Sequence, residues 1–110
     1  LENINDVNKD LNYLRRLYPR QLRPMVNEIN NVLDQLEYEG SVIYDEFPDK
    51  VYLNNIIDRI YKSLRDRGQL EELNSSLNAG NTCARIIVEI LFYHETFERR
   101  RRYRASKRAL

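Results

Sequence analysis

The stretch LRPMVNEINNVLDQL, residues 22–36, decides the fold class of this 110-residue chain. Its apolar residues recur at steps of four and three: Leu22, Val26, Ile29, Leu33 and Leu36. These steps follow the period of an α-helix and place the five side chains on one helix face. The stretch lacks the alternation that is typical of a strand. It therefore predicts an amphipathic helix with one face in a core.

The same period predicts four long helices in total. They lie near residues 3–18, 20–39, 49–67 and 82–103. The apolar series in the last of these helices is Cys83, Ile87, Ile90, His94 and Phe97. That series predicts that the core ends at Phe97.

A short extra helix is predicted in the third connection, where Leu70, Leu73 and Leu77 follow at steps of three and four. The chain has only three glycines and three prolines, and no segment has a strand pattern. We therefore expect an all-α fold, an antiparallel bundle of about four helices with one short extra helix.

Charge is distributed unevenly along the chain. Residues 99–110 contain seven basic residues and no acid, which leaves 11 basic and 17 acidic residues in 1–98. We therefore divide the chain into a helical bundle domain, 1–98, and a basic C-terminal extension of the last helix, 99–110. The extension has three alternative targets: the acidic body of the molecule, another protein, or nucleic acid.

The basic run FERRRRYR and the acidic connection YEGSVIYDEFPDK, residues 38–50, are the predicted interaction surfaces. The candidate residues are Asp45, Glu46, Asp49, Arg99, Arg100, Arg101, Arg102, Tyr103 and Arg104. Tyr103 lies among arginines, where an aromatic ring can stack on a base. A divalent cation is an alternative ligand for the acids, although their spacing fits no calcium loop.

No motif for catalysis or cofactor binding is present. His94 and Glu95 begin the zinc motif H-E-x-x-H, but Glu98 stands where the second histidine is required. The lone Cys83 has no partner for a disulfide or a catalytic pair, and it favours a reducing, cytoplasmic compartment. We expect no enzyme, no cofactor, no metal and no small-molecule substrate.

Residues 86–93 form the longest apolar stretch, which contains Glu89 and is too short to cross a bilayer. We therefore expect no membrane partner. The chain begins at Leu1 rather than Met, so we expect the native chain to begin earlier. The sequence predicts a small cytoplasmic protein–protein interaction or scaffold module that can self-associate. Nonspecific nucleic-acid binding through the Arg-rich helix end is the alternative.

The pattern Tyr-Glu-Gly-Ser, then Tyr-Asp-Glu-x-Pro-Asp, then a C-terminal basic run resembles small helical proteins of unassigned function from clostridia-type Firmicutes. The resemblance extends from about residue 18 to residue 104. It implies a cytosolic bacterial protein and supplies no activity, cofactor or site. It marks the 38–50 connection as a defining element of such proteins.

Overall fold

The computed structural model describes residues 4–78 and 81–109, with side chains for 5–78 and 82–107. The helices are α1 (Ile4–Arg16), α2 (Arg23–Leu36), α3 (Lys50–Asp66), α4 (Glu71–Leu77) and α5 (Asn81–Ala109). Two single 3₁₀ turns, Arg20–Leu22 and Val42–Tyr44, precede α2 and α3. The described residues contain no strand, so the all-α prediction of four long helices and one short helix is confirmed.

Predictions that involve residues 1–3, 79, 80 and 110 lie outside the described residues. They include the start of the first helix, the native N-terminus and the outer ends of both predicted domain ranges. No described helix is both long enough and apolar enough to cross a membrane.

The ends of α3 follow directly from local sequence. Asp49 precedes the helix, and its carboxylate accepts a hydrogen bond from the backbone N–H of Val51 at 3.4 Å. At the other end Gly68 has a φ of +71°, a conformation that glycine adopts without steric cost. The Gln69 amide bonds the Leu64 carbonyl and the Gly68 amide bonds the Arg65 carbonyl, which is a Schellman motif.

The core lies between α2, α3 and α5. Its fully buried or nearly buried apolar side chains include Met25, Ile29, Leu33, Ile56, Ile57, Ile60, Leu64, Ala84, Val88 and Phe92. The buried residues of α2 are Ile29 and Leu33 of the predicted stripe together with Met25, and the other stripe residues, Leu22, Val26 and Leu36, are partly buried against the core. This stripe brings α2 against α3 and α5 and fixes the rotation of α2.

Ion pairs give the direction of each core helix. Glu28, near the start of α2, pairs with Arg67 at the end of α3 at 3.0 Å. Asp58, in the middle of α3, pairs with Arg85, near the start of α5, at 2.8 Å, whereas Leu53, near the start of α3, lines a cavity together with Tyr93 and Phe97 farther along α5. Consecutive core helices are therefore antiparallel, and α2 runs parallel to α5 as the first and third of three.

The predicted rotation of α5 is wrong. Phe97 is 60% exposed and Ile90 is 62% exposed, although both were predicted in the core. The buried face instead includes Val88, Phe92 and the charged Glu95 and Arg99. The helix has apolar residues on two faces, and the face with two charges is the one that packs. Cys83 and His94, also on the predicted stripe, are partly buried.

Candidate interaction surfaces

A line of polar side chains runs through the interface between α2 and α5. At its centre the Glu95 side chain is completely buried. One carboxylate oxygen of Glu95 accepts from Arg15 Nη2 at 2.9 Å, and the other accepts from Asn30 Nδ2 at 2.9 Å. Arg15 belongs to the last turn of α1, so this buried carboxylate ties α1 to the two core helices.

Asn30 continues the line toward the C-terminal half of α5. Its Oδ1 accepts from Arg99 Nη2 at 2.9 Å, while its Nδ2 donates to Glu95. The Arg99 side chain is 6% exposed, and it also pairs with Asp34 at 2.7 Å and Glu37 at 2.9 Å. We call Arg15, Asn30, Glu95 and Arg99 the polar seam. Its hydrogen bonds connect Arg15 to Glu95, Glu95 to the neutral amide of Asn30, and Asn30 to Arg99.

Next to the seam, Arg100 donates hydrogen bonds to the backbone of the 38–50 connection. Its guanidinium donates to the carbonyl of Ile43 at 2.7 Å and also to the carbonyls of Asp45 and Glu46. The side chain therefore satisfies three backbone carbonyls, one within the 3₁₀ turn Val42–Tyr44 and two just after it. Burial, with the nearby charge of Arg104, lowers the pKa of Arg100 from its ordinary value.

Tyr103 lies against Tyr44 of the same connection. Their ring centroids are 3.9 Å apart with an angle of 9° between the planes, which is a stacked pair. Burial, followed by the Glu37 carboxylate, raises the pKa of Tyr44 well above its usual range. Tyr103, which the sequence predicts to stack on a base, therefore stacks on Tyr44 of its own chain.

One turn later, Lys107 Nζ lies 2.7 Å from the Glu39 carboxylate. The hydrogen bond raises the pKa of Lys107 and lowers the pKa of Glu39. Both groups are on the surface, so the pair holds the helix end only softly. Of the three targets considered for the basic extension, the acidic body is the one that residues 99, 100, 103 and 107 contact.

The other predicted interaction residues occupy different environments. Asp45 and Glu46 offer Arg100 their carbonyls while their side chains are exposed, and the Asp49 carboxylate caps α3. Arg104 is exposed, whereas Arg101 and Arg102 are partly buried. The structure therefore brings the acidic connection and the basic run together inside one molecule.

A second surface of α5 is apolar and exposed. We call its residues, Ile86, Ile90, Tyr93 and Phe97, the α5 stripe; they are 51%, 62%, 37% and 60% exposed. Their steps of four, three and four place them along one helix face. A shallow cavity of about 220 Å³ lies beside the stripe, lined by Pro48, Leu53, Tyr93 and Phe97 among others.

Two apolar side chains from the neighbouring segment enlarge this surface. Phe47 is 87% exposed and adjoins Pro48 in the chain, and Val51 is 66% exposed. Val51 shares a face of α3 with Asp58, which bonds α5 near its start. Because α3 and α5 are antiparallel, Val51 lies toward the Tyr93 end of the α5 stripe.

The described part of the chain contains neither a metal-binding cluster nor a disulfide. Among those residues no group of three or more His, Cys, Asp or Glu side chains could hold a metal ion. Cys83 is a free, partly buried thiol. Comparison with family models, with curated proteins and with solved structures finds no match for this chain.

Sequence reasoning missed both the polar seam and the α5 stripe. Nothing in a single sequence distinguishes Glu95 and Arg99 from solvated charges of the same helix. The stripe did have a signal, since Ile86, Ile90, Tyr93 and Phe97 follow at steps of four, three and four. This series shares Ile90 and Phe97 with the series predicted to face the core. Helix α5 has apolar residues on two faces, and this series lies on the face that is exposed.

Proposed function

We propose that this protein is a small interaction module that self-associates, with a second copy of the chain as the partner of the α5 stripe. The observation that carries the proposal is the run of four exposed apolar side chains from Ile86 to Phe97 on one helix face. Phe47 and Val51 are also exposed, in the segment whose Pro48 and Leu53 line the adjoining cavity. A contiguous exposed apolar surface of this kind is typical of a docking site.

The spacing of the α5 stripe favours a second copy over other partners. Apolar steps of four and three are the repeat through which helices pair side by side. Across a two-fold axis the same stripe faces itself, so a partner of matching spacing is always present. The net charge of +1 gives two copies little mutual repulsion.

The test is molar mass by light scattering over a range of protein concentrations, at low and at high salt. We expect a dimer whose dissociation constant changes little with salt, because apolar burial drives it. Ile90→Lys and Phe97→Lys should each yield a monomer. Leu17→Lys is the matched control, since Leu17 is 61% exposed on another part of the surface.

A monomer at every concentration and salt would overturn the proposal. A dimer that high salt dissociates, and that Ile90→Lys leaves intact, would also overturn it. That result would point instead to pairing between the acidic connection and the basic run of neighbouring copies.

Nonspecific nucleic-acid binding is the second candidate, supported by the exposed Arg104 with Arg101 and Arg102 beside it. Binding to short oligonucleotides should then weaken steeply with salt and should fall on deletion of residues 104–110. Affinity that is indifferent to this deletion would remove the candidate. We also propose a reducing, cytoplasmic location in a bacterium, as the lone Cys83 and the family resemblance favour.

A further inference from the structure

A cleft between the end of α1 and the start of α2 has cationic walls. It has a volume of about 460 Å³, and three arginines line it: Arg15, Arg16 and Arg23. Tyr18 and Asn27 contribute further polar groups. The volume is that of a site for a small molecule rather than for a single ion. We call this feature the arginine cleft.

Two of the three arginines have no partner among the residues that the structure describes. Arg16 and Arg23 make no hydrogen bond or ion pair with any described residue, although the chain contains 17 acidic side chains. Arg15 is engaged with Glu95, yet its Nε is buried and has no hydrogen-bond partner among the described residues. Like charges that converge on one concavity repel each other unless an anion lies between them.

The charges around the cleft indicate what charge a bound anion should carry. Glu95 neutralises Arg15 from the core side, so Arg16 and Arg23 leave a local charge of about two. A phosphate group carries a charge of about −1.5 to −2 at neutral pH and offers three acceptor oxygens. The planar guanidinium group of arginine binds phosphate through two parallel hydrogen bonds.

The remaining groups of the wall are compatible with the same anion. Asn27 belongs to the first turns of α2, which has no acidic residue in its first turn and no side chain that caps its start. Burial, then the charge of Glu95, raises the pKa of Tyr18, so its hydroxyl remains a donor at neutral pH. None of the residues that line the cleft is acidic.

We propose that the arginine cleft binds the phosphate dianion of a small phosphorylated molecule, or phosphate itself, between Arg16 and Arg23. Arg15 and Tyr18 line the same cleft. The site is separate from the α5 stripe, because none of the stripe residues lines the cleft. Phosphate binding and self-association are therefore independent proposals with independent tests.

The experiment is calorimetric titration of the full chain with inorganic phosphate and, separately, with glycerol 3-phosphate, at neutral pH and constant ionic strength. Acetate and chloride are the comparison anions. We expect saturable binding of one phosphate per chain. Tighter binding of glycerol 3-phosphate identifies an esterified ligand, and equal binding of both identifies phosphate itself.

Arg16→Gln and Arg23→Gln should each weaken phosphate binding about tenfold. Both side chains are exposed and make no ion pair or hydrogen bond with a described residue, so these variants should fold normally, which circular dichroism checks. Arg59→Gln is the matched control: it removes the same charge from an exposed arginine of α3. Phosphate affinity should be nearly unchanged in that variant.

Three results would overturn the proposal. The first is the absence of saturable phosphate binding, and the second is binding of acetate or chloride as tight as that of phosphate. The third is a loss in Arg59→Gln equal to the losses in the two cleft variants, since a general charge effect would then explain the binding.

Discussion

The buried pair of Glu95 and Arg15 provides the sharpest test of the fold. Replacing Arg15 with Ala leaves a carboxylate that is completely buried without its cation. Breaking a buried pair by removing one partner costs about 3–5 kcal/mol. The bond from Asn30 to the carboxylate remains, and the Arg15 side chain is 22% exposed, so water can approach once it is removed. We therefore expect a loss near the lower end, about 3 kcal/mol of unfolding free energy.

A second substitution separates the charge from the lost packing. In the double variant Arg15→Ala with Glu95→Gln, the amide still accepts from Asn30 and no buried charge is left unpaired. The double variant should be more stable than Arg15→Ala alone. The cycle of the two single variants and the double variant should give a coupling free energy of about 2 kcal/mol.

The assay is equilibrium unfolding in urea, followed by far-UV circular dichroism, with the slope of each transition compared between variants. Arg20→Ala is the control, because Arg20 pairs with Glu72 where both side chains are largely exposed. That pair should contribute less than about 1 kcal/mol. The reasoning fails if Arg15→Ala costs no more than Arg20→Ala, or if the coupling free energy is indistinguishable from zero.

Other predictions concern the core, the stacked rings and the helix end. Leu33→Ala or Ile60→Ala should each cost about 2–5 kcal/mol in urea unfolding, because neither side chain is more than 1% exposed. Tyr103→Leu should cost about 1 kcal/mol through the lost stack on Tyr44; an unchanged melting temperature would contradict this. Burial raises the pKa of Tyr44, so the unfolded tyrosine ionises first and stability should fall as pH rises past about 10. Tyr44→Phe should reduce that fall, measured by unfolding at several alkaline pH values. Deleting 104–110 should hardly change the melting temperature, since the ion pair it removes from the 38–50 connection is exposed; a fall of about ten degrees or more would count against this.

The rotation of α2 was predictable because its apolar residues lie on one side only. Ile29 and Leu33 belong to a single series, and Met25 and Val32 lie beside it, so no second apolar face competes. The end of α3 was predictable for a different reason. Gly68 after a basic pair is a local signal whose physical cause, a backbone with positive φ, is independent of the rest of the fold.

The rotation of α5 could not be predicted in the same way. Counting apolar residues places Ile90 and Phe97 in the core and Glu95 in solvent, whereas the fold does the reverse. Glu95 is buried only because Arg15 and Asn30 reach it from two other helices. That stabilisation depends on contacts far apart in the chain, and no local pattern reports them.

In the structure the basic run contacts residues of the acidic body, and the sequence did not predict the form of these contacts. Arg99 meets carboxylates of α2, as the charge division suggests. Arg100 instead donates to the backbone carbonyls of Ile43, Asp45 and Glu46, whose positions depend on the 3₁₀ turn Val42–Tyr44. Counting charges predicts a contact between Arg99 and carboxylates. It cannot predict a contact between Arg100 and backbone carbonyls.

Helix geometry makes the polar seam and the α5 stripe independently testable. Glu95 and Arg99 follow Tyr93 and Phe97 by two residues, a rotation of about 200° around the helix, so the two sets lie on opposite faces. A partner on the stripe would therefore leave the seam intact. Substitutions in the seam should lower stability without changing the mass of the folded species, while Lys on the stripe should change the mass with little effect on stability. A variant of either set that changes both properties would show that the two faces are coupled through α5.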